Sequence, residues 1–131
     1  MPFDWSEYLQ LADELGKRAD EGSLRTAISR AYYYVYHLGL DRAEANSFQA
    51  LAGEATHTQL WRCYSSNPEP ACMRLGEIGR RLKEKRDRAD YNPIYARIQE
   101  DVPYVLRDAR GFASGLRNLD RRHPNPSSMR H

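Results

Sequence analysis

The chain reads as all-α, an antiparallel up-and-down bundle of four long helices plus one short helix, on three observations. Strand signals are nearly absent, with few valines and no alternating β-branched runs. Apolar residues recur at helical spacing through four long segments. The breaks between segments are short and carry Gly, Ser, Asn or Pro. At 131 residues the chain is one domain by length, large enough to bury a core without metal or disulfide support. The bundle is placed at 1–119, with a flexible tail at 120–131.

The first helix is expected from Asp4, with Trp5, Tyr8, Leu9, Ala12, Leu15 and Ala19 on one stripe, ending before Gly22. Ser23 reads as the N-cap of the second, which runs to about Ala45. Leu24, Ala27, Ile28, Ala31, Val35 and Leu38 form its stripe, and tyrosines widen it to a second face. A helix apolar over so much of its circumference packs centrally. Residues 46–53 read as a loop. Thr56 is expected to cap a short third helix bearing Leu60, Trp61 and Tyr64, broken by Ser65-Ser66-Asn67-Pro68.

The fourth helix begins near Glu69 or Pro70, since proline is tolerated in a first turn. Its stripe is Cys72, Leu75, Ile78, Leu82, Arg86 and Ala89, so Arg86 faces inward. Asn92-Pro93 ends it. The fifth carries Ile98, Val102, Val105, Ala109, Phe112, Leu116 and Leu119, and the register runs on through Pro103, which predicts one kinked helix rather than two.

Composition limits the function. A net charge of +2 excludes nonspecific polyanion binding by bulk charge. Arginine far outnumbers lysine, as phosphate recognition favours and as a GC-rich genome also produces. Cys63 and Cys72 lack CxxC or zinc-ligand spacing and read as reduced packing thiols of a cytoplasmic protein. Trp5 and Leu9 are interspersed with Asp4, Glu7 and Asp13, unlike a signal peptide, and no window reaches a membrane-spanning apolar length. The paired ExxH motifs of di-iron bundles, a phosphate-binding P-loop and GxSxG are all missing, and the long helices do not fit a helix-turn-helix reader. No metal or cofactor is assigned.

Two polar clusters remain. In Ser29-Arg30-Ala31-Tyr32-Tyr33-Tyr34-Val35-Tyr36-His37, helical spacing aligns Arg30, Tyr33 or Tyr34, and His37. Tyrosine brings apolar area with a hydroxyl, and arginine a rigid donor fork for phosphate or carboxylate. The second cluster is Arg86-Asp87-Arg88-Ala89-Asp90-Tyr91, where Asp90 is one turn from Arg86 and able to pair with it. Together they predict either a polar site between two helices or a buried network that fixes register. The charges from Arg80 to Arg88 form either a solvated face or a phosphate-tracking ridge. His57, near the start of the third helix, reads as a backbone cap, an exposed side chain or a general base.

The two clusters, in this order and separation, resemble the HEPN family of small helical domains linked to nucleotide binding, and the matching frame spans residues 5–118. The resemblance implies a homodimer with a cleft between the second and fourth helices. It also implies binding of RNA or a nucleotide. Many such proteins are metal-independent ribonucleases, some of them toxins paired with a nucleotidyltransferase antitoxin, others serving in phage defence. Active relatives carry an arginine, a polar residue and then a histidine about a turn later, which together polarise the RNA 2′-hydroxyl and stabilise the pentavalent phosphate.

Arg86 and Asp87 match the first two positions, while Tyr91 stands where that histidine belongs. A tyrosine, with a pKa of about 10, is a poor base at neutral pH. On this reading Arg86, Asp90, Tyr91 and His37 are the catalytic candidates, and Arg30, Tyr33, Tyr34, His57 and Arg88 bind RNA or nucleotide. The competing reading is a non-catalytic interaction module that docks a partner nucleotidyltransferase through apolar surface around Trp61 and Tyr64.

Overall fold

A computed structural model describes residues 2–126, and all their regular structure is helical: α1 (Ser6–Gly16), α2 (Glu21–Ala45), α3 (Thr56–Ser65), α4 (Pro70–Tyr91) and α5 (Ile98–Asn118). The molecule is an all-α antiparallel bundle. α2 is its central element, packed against α1, α4 and α5, while α3 lies mainly on α4. No helix among the described residues is long and apolar enough to cross a membrane.

The helix ends differ in detail from the sequence reading. α1 stops at Gly16 rather than near Ala19; a Cβ at Gly16 would stand 3.1 Å from Val102 and 3.2 Å from Leu106, so α1 ends where it meets α5. Asp20 caps α2, its carboxylate accepting the Ser23 N–H at 3.0 Å, and Ser23 lies inside the first turn. Thr56 is the first residue of α3 rather than its cap. Glu69 caps α4 by accepting the Cys72 N–H at 2.9 Å, with Pro70 in the first turn. α5 continues through Pro103 as one helix.

Trp61 fixes the spacing of three helices. A Cβ added to Gly39 of α2 would come within 3.0 Å of its ring, and one on Gly79 of α4 within 2.3 Å. The indole therefore lies where two glycines leave room for it. It is 2% exposed, and Tyr64 is fully buried with its hydroxyl donating to the Gly39 carbonyl at 2.7 Å. The expected apolar docking surface around Trp61 and Tyr64 is therefore absent. Both rings belong to the core, because α4 covers the face of α3 that the short pattern left unassigned.

Two arginines close helix C-termini, where the last carbonyls lack intrahelical partners. Arg25 donates from Nη1 to the carbonyls of Ala89 at 2.8 Å and Asn92 at 2.7 Å. Arg42 reaches Leu116 O from Nη2 at 2.7 Å, and Asp120 O and His123 O from Nη1 at 3.3 and 3.2 Å. Pro124 is fully buried. The segment from residue 120 is thus not free at its start: residues 120–124 are drawn back onto the bundle by Arg42, and 127–131 lie outside the described residues.

Candidate functional site

The inward register of α4 carries Arg86 into the seam with α2, where it is 6% exposed. Its Nη2 lies 3.3 Å from Asp87 Oδ1 and its Nη1 3.8 Å from Asp90 Oδ2. Both are longer than the roughly 2.7–2.9 Å of a good charge-assisted hydrogen bond. Its Nε is buried with no partner. Aromatic faces surround the group instead. The guanidinium carbon is 5.2, 5.3 and 5.9 Å from the ring centroids of Tyr32, Tyr33 and Tyr91.

Arg30, half-buried on α2, lies against the same tyrosine. Its guanidinium carbon is 5.2 Å from the Tyr33 ring and 4.6 Å from Tyr8 of α1. It forms no ion pair among the described residues; its one hydrogen bond, 3.4 Å long, goes to Ser29 Oγ. That hydroxyl donates to Asp90 Oδ2 at 3.3 Å, which links Arg30, Ser29, Asp90 and Arg86 across the α2–α4 seam. Two cations are thereby held beside one ring by weak polar contacts.

His57 approaches from α3. Its Nδ1 is 2.6 Å from the Tyr32 hydroxyl, and its ring stacks on Tyr36 at 3.9 Å and 8°. Burial, followed by the charges of Arg86 and Lys83, pushes its pKa down to about 4, so it is neutral at pH 7. His37 stacks on Trp5 of the N-terminal segment at 3.5 Å and 3°, and burial lowers its pKa too. It stands on the Arg30 side of the cluster, with Tyr33 and Tyr36 as ring neighbours.

The structure therefore brings Arg30, Tyr33, His57, Arg86 and Asp90 together, with Tyr91 at the rim, 74% exposed. It leaves two candidates out. Tyr34 is buried on another side of α2, where the charges that reach it are those of Arg117 and Asp4. Arg88 is exposed beside Tyr95, 5.2 Å from that ring, on the approach to α5. At about 100° per residue, Tyr34 turns away from the seam that Tyr33 faces, and Arg88, two residues on from Arg86, points about 200° away from it.

Much of the basic ridge is paired. Arg80 binds Glu77 and Glu84, Arg81 binds Asp108, Lys83 binds Asp87, and Lys85 binds Asp101. These are solvated ion pairs of small individual energy, as the plainer reading of that stretch expects. The sequence reading passed over Tyr8, Ser29 and Tyr32 as site residues. Tyr8 lay on the α1 core stripe, and only its contact with Arg30 reveals it; Tyr32 carries the signal of a hydroxyl within a buried run.

The cluster holds two guanidinium groups whose donors are only partly engaged, Arg86 by Asp87 and Asp90 at 3.3 and 3.8 Å and Arg30 by Ser29 at 3.4 Å. It suits an anion with several oxygens, such as phosphate. Among the described residues no three His, Cys, Asp or Glu side chains are grouped as metal ligands would be. Comparison with protein-family models, with curated proteins and with solved structures returned no match to this chain.

Proposed function

We propose that the protein binds RNA or a nucleotide by its phosphate at the α2–α4 seam, using Arg30 and Arg86. Tyr33 and Tyr91 supply rings for stacking, and Asp90 orients Arg86 from one turn away. The observation that carries this reading is the incomplete coordination of Arg86. A buried donor without a partner costs about 1–3 kcal/mol, and more when charged. The architectural arginines hold backbone carbonyls closely: Arg42 reaches them at 2.7–3.3 Å, and Arg25, although its Nη2 is also buried without a partner, reaches Ala89 O and Asn92 O at 2.8 and 2.7 Å. Arg86 instead holds a buried, unpartnered Nε and two long carboxylate contacts.

The finer reading is a HEPN-like, metal-independent ribonuclease of a toxin–antitoxin or defence module, acting in the cytoplasm as a homodimer with a nucleotidyltransferase as partner. It rests on the two sequence clusters. The rival reading, docking through Trp61 and Tyr64, has lost its surface to the core.

Fluorescence anisotropy with a labelled single-stranded RNA tests the proposal. Arg86→Ala is expected to weaken binding by about tenfold or more, the scale of one charge-assisted hydrogen bond, while the bundle stays folded. Binding that survives Arg86→Ala, combined with a stability loss of several kcal/mol, assigns the cluster to architecture instead. Cleavage of a transcript in the presence of EDTA, absent in Arg86→Ala, extends the reading to the ribonuclease.

A further inference from the structure

Among the described residues His57 makes one hydrogen bond, and its partner decides which ring nitrogen carries the proton. The Tyr32 oxygen lies 2.6 Å from His57 Nδ1 and also receives the Trp61 Nε1–H at 3.0 Å. An indole nitrogen only donates, and a phenol has a single proton. Tyr32 therefore accepts from Trp61, and its own proton has Nδ1 of His57 as its acceptor. Were Nδ1 protonated, two N–H groups would face one oxygen, and the phenol proton would be stranded in the interior, since Tyr32 is fully buried. Loss of that proton is no escape, because burial raises the Tyr32 pKa far above its ordinary value.

The neutral imidazole therefore carries its proton on Nε2. Among the described residues that nitrogen has no partner, and it is not sealed from solvent. Around the ring stand Tyr32, Tyr33 and Tyr36 from α2, with His37 behind them. From α4 come Arg86, Lys83 and Asp87, two cations against one carboxylate, which opposes a second proton on the ring.

We infer that His57 is a fixed neutral N–H donor, oriented by Tyr32 and Trp61, and that it hydrogen-bonds an anionic phosphate oxygen rather than removing a proton from the ligand. A general base needs a free lone pair facing the substrate. The lone pair of His57 is on Nδ1, engaged by Tyr32. Any cleavage at this site draws its base from another group. The ligand half of the inference rests on the phosphate reading above; the tautomer half does not.

Nitrogen-15 spectra of the full chain read the two ring nitrogens directly. The expected result is a protonated Nε2 and a bare Nδ1, unchanged from about pH 8 to about pH 5.5, across the range where an ordinary histidine titrates. A protonated Nδ1, or an imidazolium growing in near the ordinary midpoint, overturns the inference. Tyr32→Phe is expected to release the ring into a mixture of tautomers, and an unchanged spectrum removes Tyr32 from its positioning role.

Inorganic phosphate, and then a short single-stranded RNA, are expected to move the Nε2–H signal. His57→Ala should weaken RNA binding by about tenfold, while His57→Gln, which keeps a neutral N–H, should weaken it by less than about threefold. Equal losses overturn the donor role, as does RNA that binds through Arg86 without moving Nε2–H. Wild-type protein that shows the expected tautomer but binds no RNA or phosphate overturns the phosphate reading and the ligand half, while supporting the tautomer half.

Discussion

The guanidinium carbon of Arg86 lies 5.3 Å from the ring centroid of Tyr33, across the seam between α4 and α2, and Arg30 reaches the same ring at 5.2 Å. Two like charges against one ring repel, and the carboxylates of Asp87 and Asp90 offset this only in part, through loose ion pairs to Arg86 at 3.3 and 3.8 Å. A bound anion is expected to relieve that repulsion and so to stabilise the fold by linkage. The shift is about 2.7 kcal/mol at a ligand concentration of a hundred times Kd. Thermal melts with increasing phosphate at constant ionic strength measure it. The midpoint should climb in wild-type protein and stay flat in Arg86→Ala, and an equal climb in both places the anion elsewhere.

The sequence carried the inward position of Arg86 plainly, because one helix, read at its own period, puts that residue in line with Leu75, Leu82 and Ala89. It could not separate Tyr33 from Tyr34, since spacing gives faces of a helix but not which neighbour covers each. Trp61 and Tyr64 were misjudged for a related reason. The glycines that make room for the indole, Gly39 and Gly79, lie on other helices, and a short apolar run does not announce such long-range fits. Asp20 and Ser23 are both good capping residues, so propensity alone could not choose between them. The contacts of residues 120–123 were not legible because they come from Arg42, far away in the chain.

Arg25 is expected to behave in the opposite way to Arg86. It donates to the carbonyls of Ala89 and Asn92 at the end of α4, where its removal leaves acceptors without partners. Arg25→Ala should lower the unfolding free energy by about 1.5–3 kcal/mol, the range for hydrogen bonds from charged groups. Urea denaturation reads the loss. RNA affinity measured on the folded fraction should stay close to wild type. A variant as stable as wild type but unable to bind would reverse the roles assigned to the two arginines.

Gly79 and Gly111 should respond to alanine with opposite signs. A methyl group at Gly79 would stand 2.3–2.5 Å from three atoms of the Trp61 ring, whereas one at Gly111 meets nothing within 4 Å. Helix propensity favours alanine at both by about 1 kcal/mol. At Gly111 that gain stands alone, and the variant should be more stable by about that amount. At Gly79 overpacking of about 1–3 kcal/mol or more wins, because the indole is wedged between α2 and α4. Paired urea titrations decide it, and a stabilised Gly79→Ala would show that Trp61 has room to move.

The depressed histidines make stability depend on pH in a defined window. His57 is held near 4 by burial and by the charges of Arg86 and Lys83, and burial also lowers His37. In the unfolded chain both return to their ordinary value of 6.5. Below that value the unfolded state binds protons that the folded state refuses, so acid favours unfolding. Stability is therefore complete above about pH 6.5 and declines steadily as the pH falls toward 4. Capped carboxylates such as Asp4 and Asp20 have lowered pKa values, chiefly through hydrogen bonds to Ser6 and Ser23; their stabilising effect persists above the ordinary value of 3.8 and fades only below it. Glu54, lowered from 4.5 by its hydrogen bond to Arg62, begins to lose its effect near that value, so the upper part of the interval, above about pH 5.5, isolates the imidazoles. Denaturation midpoints measured at constant ionic strength should fall across it in wild-type protein and fall less in His57→Gln. A wild-type curve that stays level there would mean that His57 titrates as freely in the folded protein as in the unfolded chain.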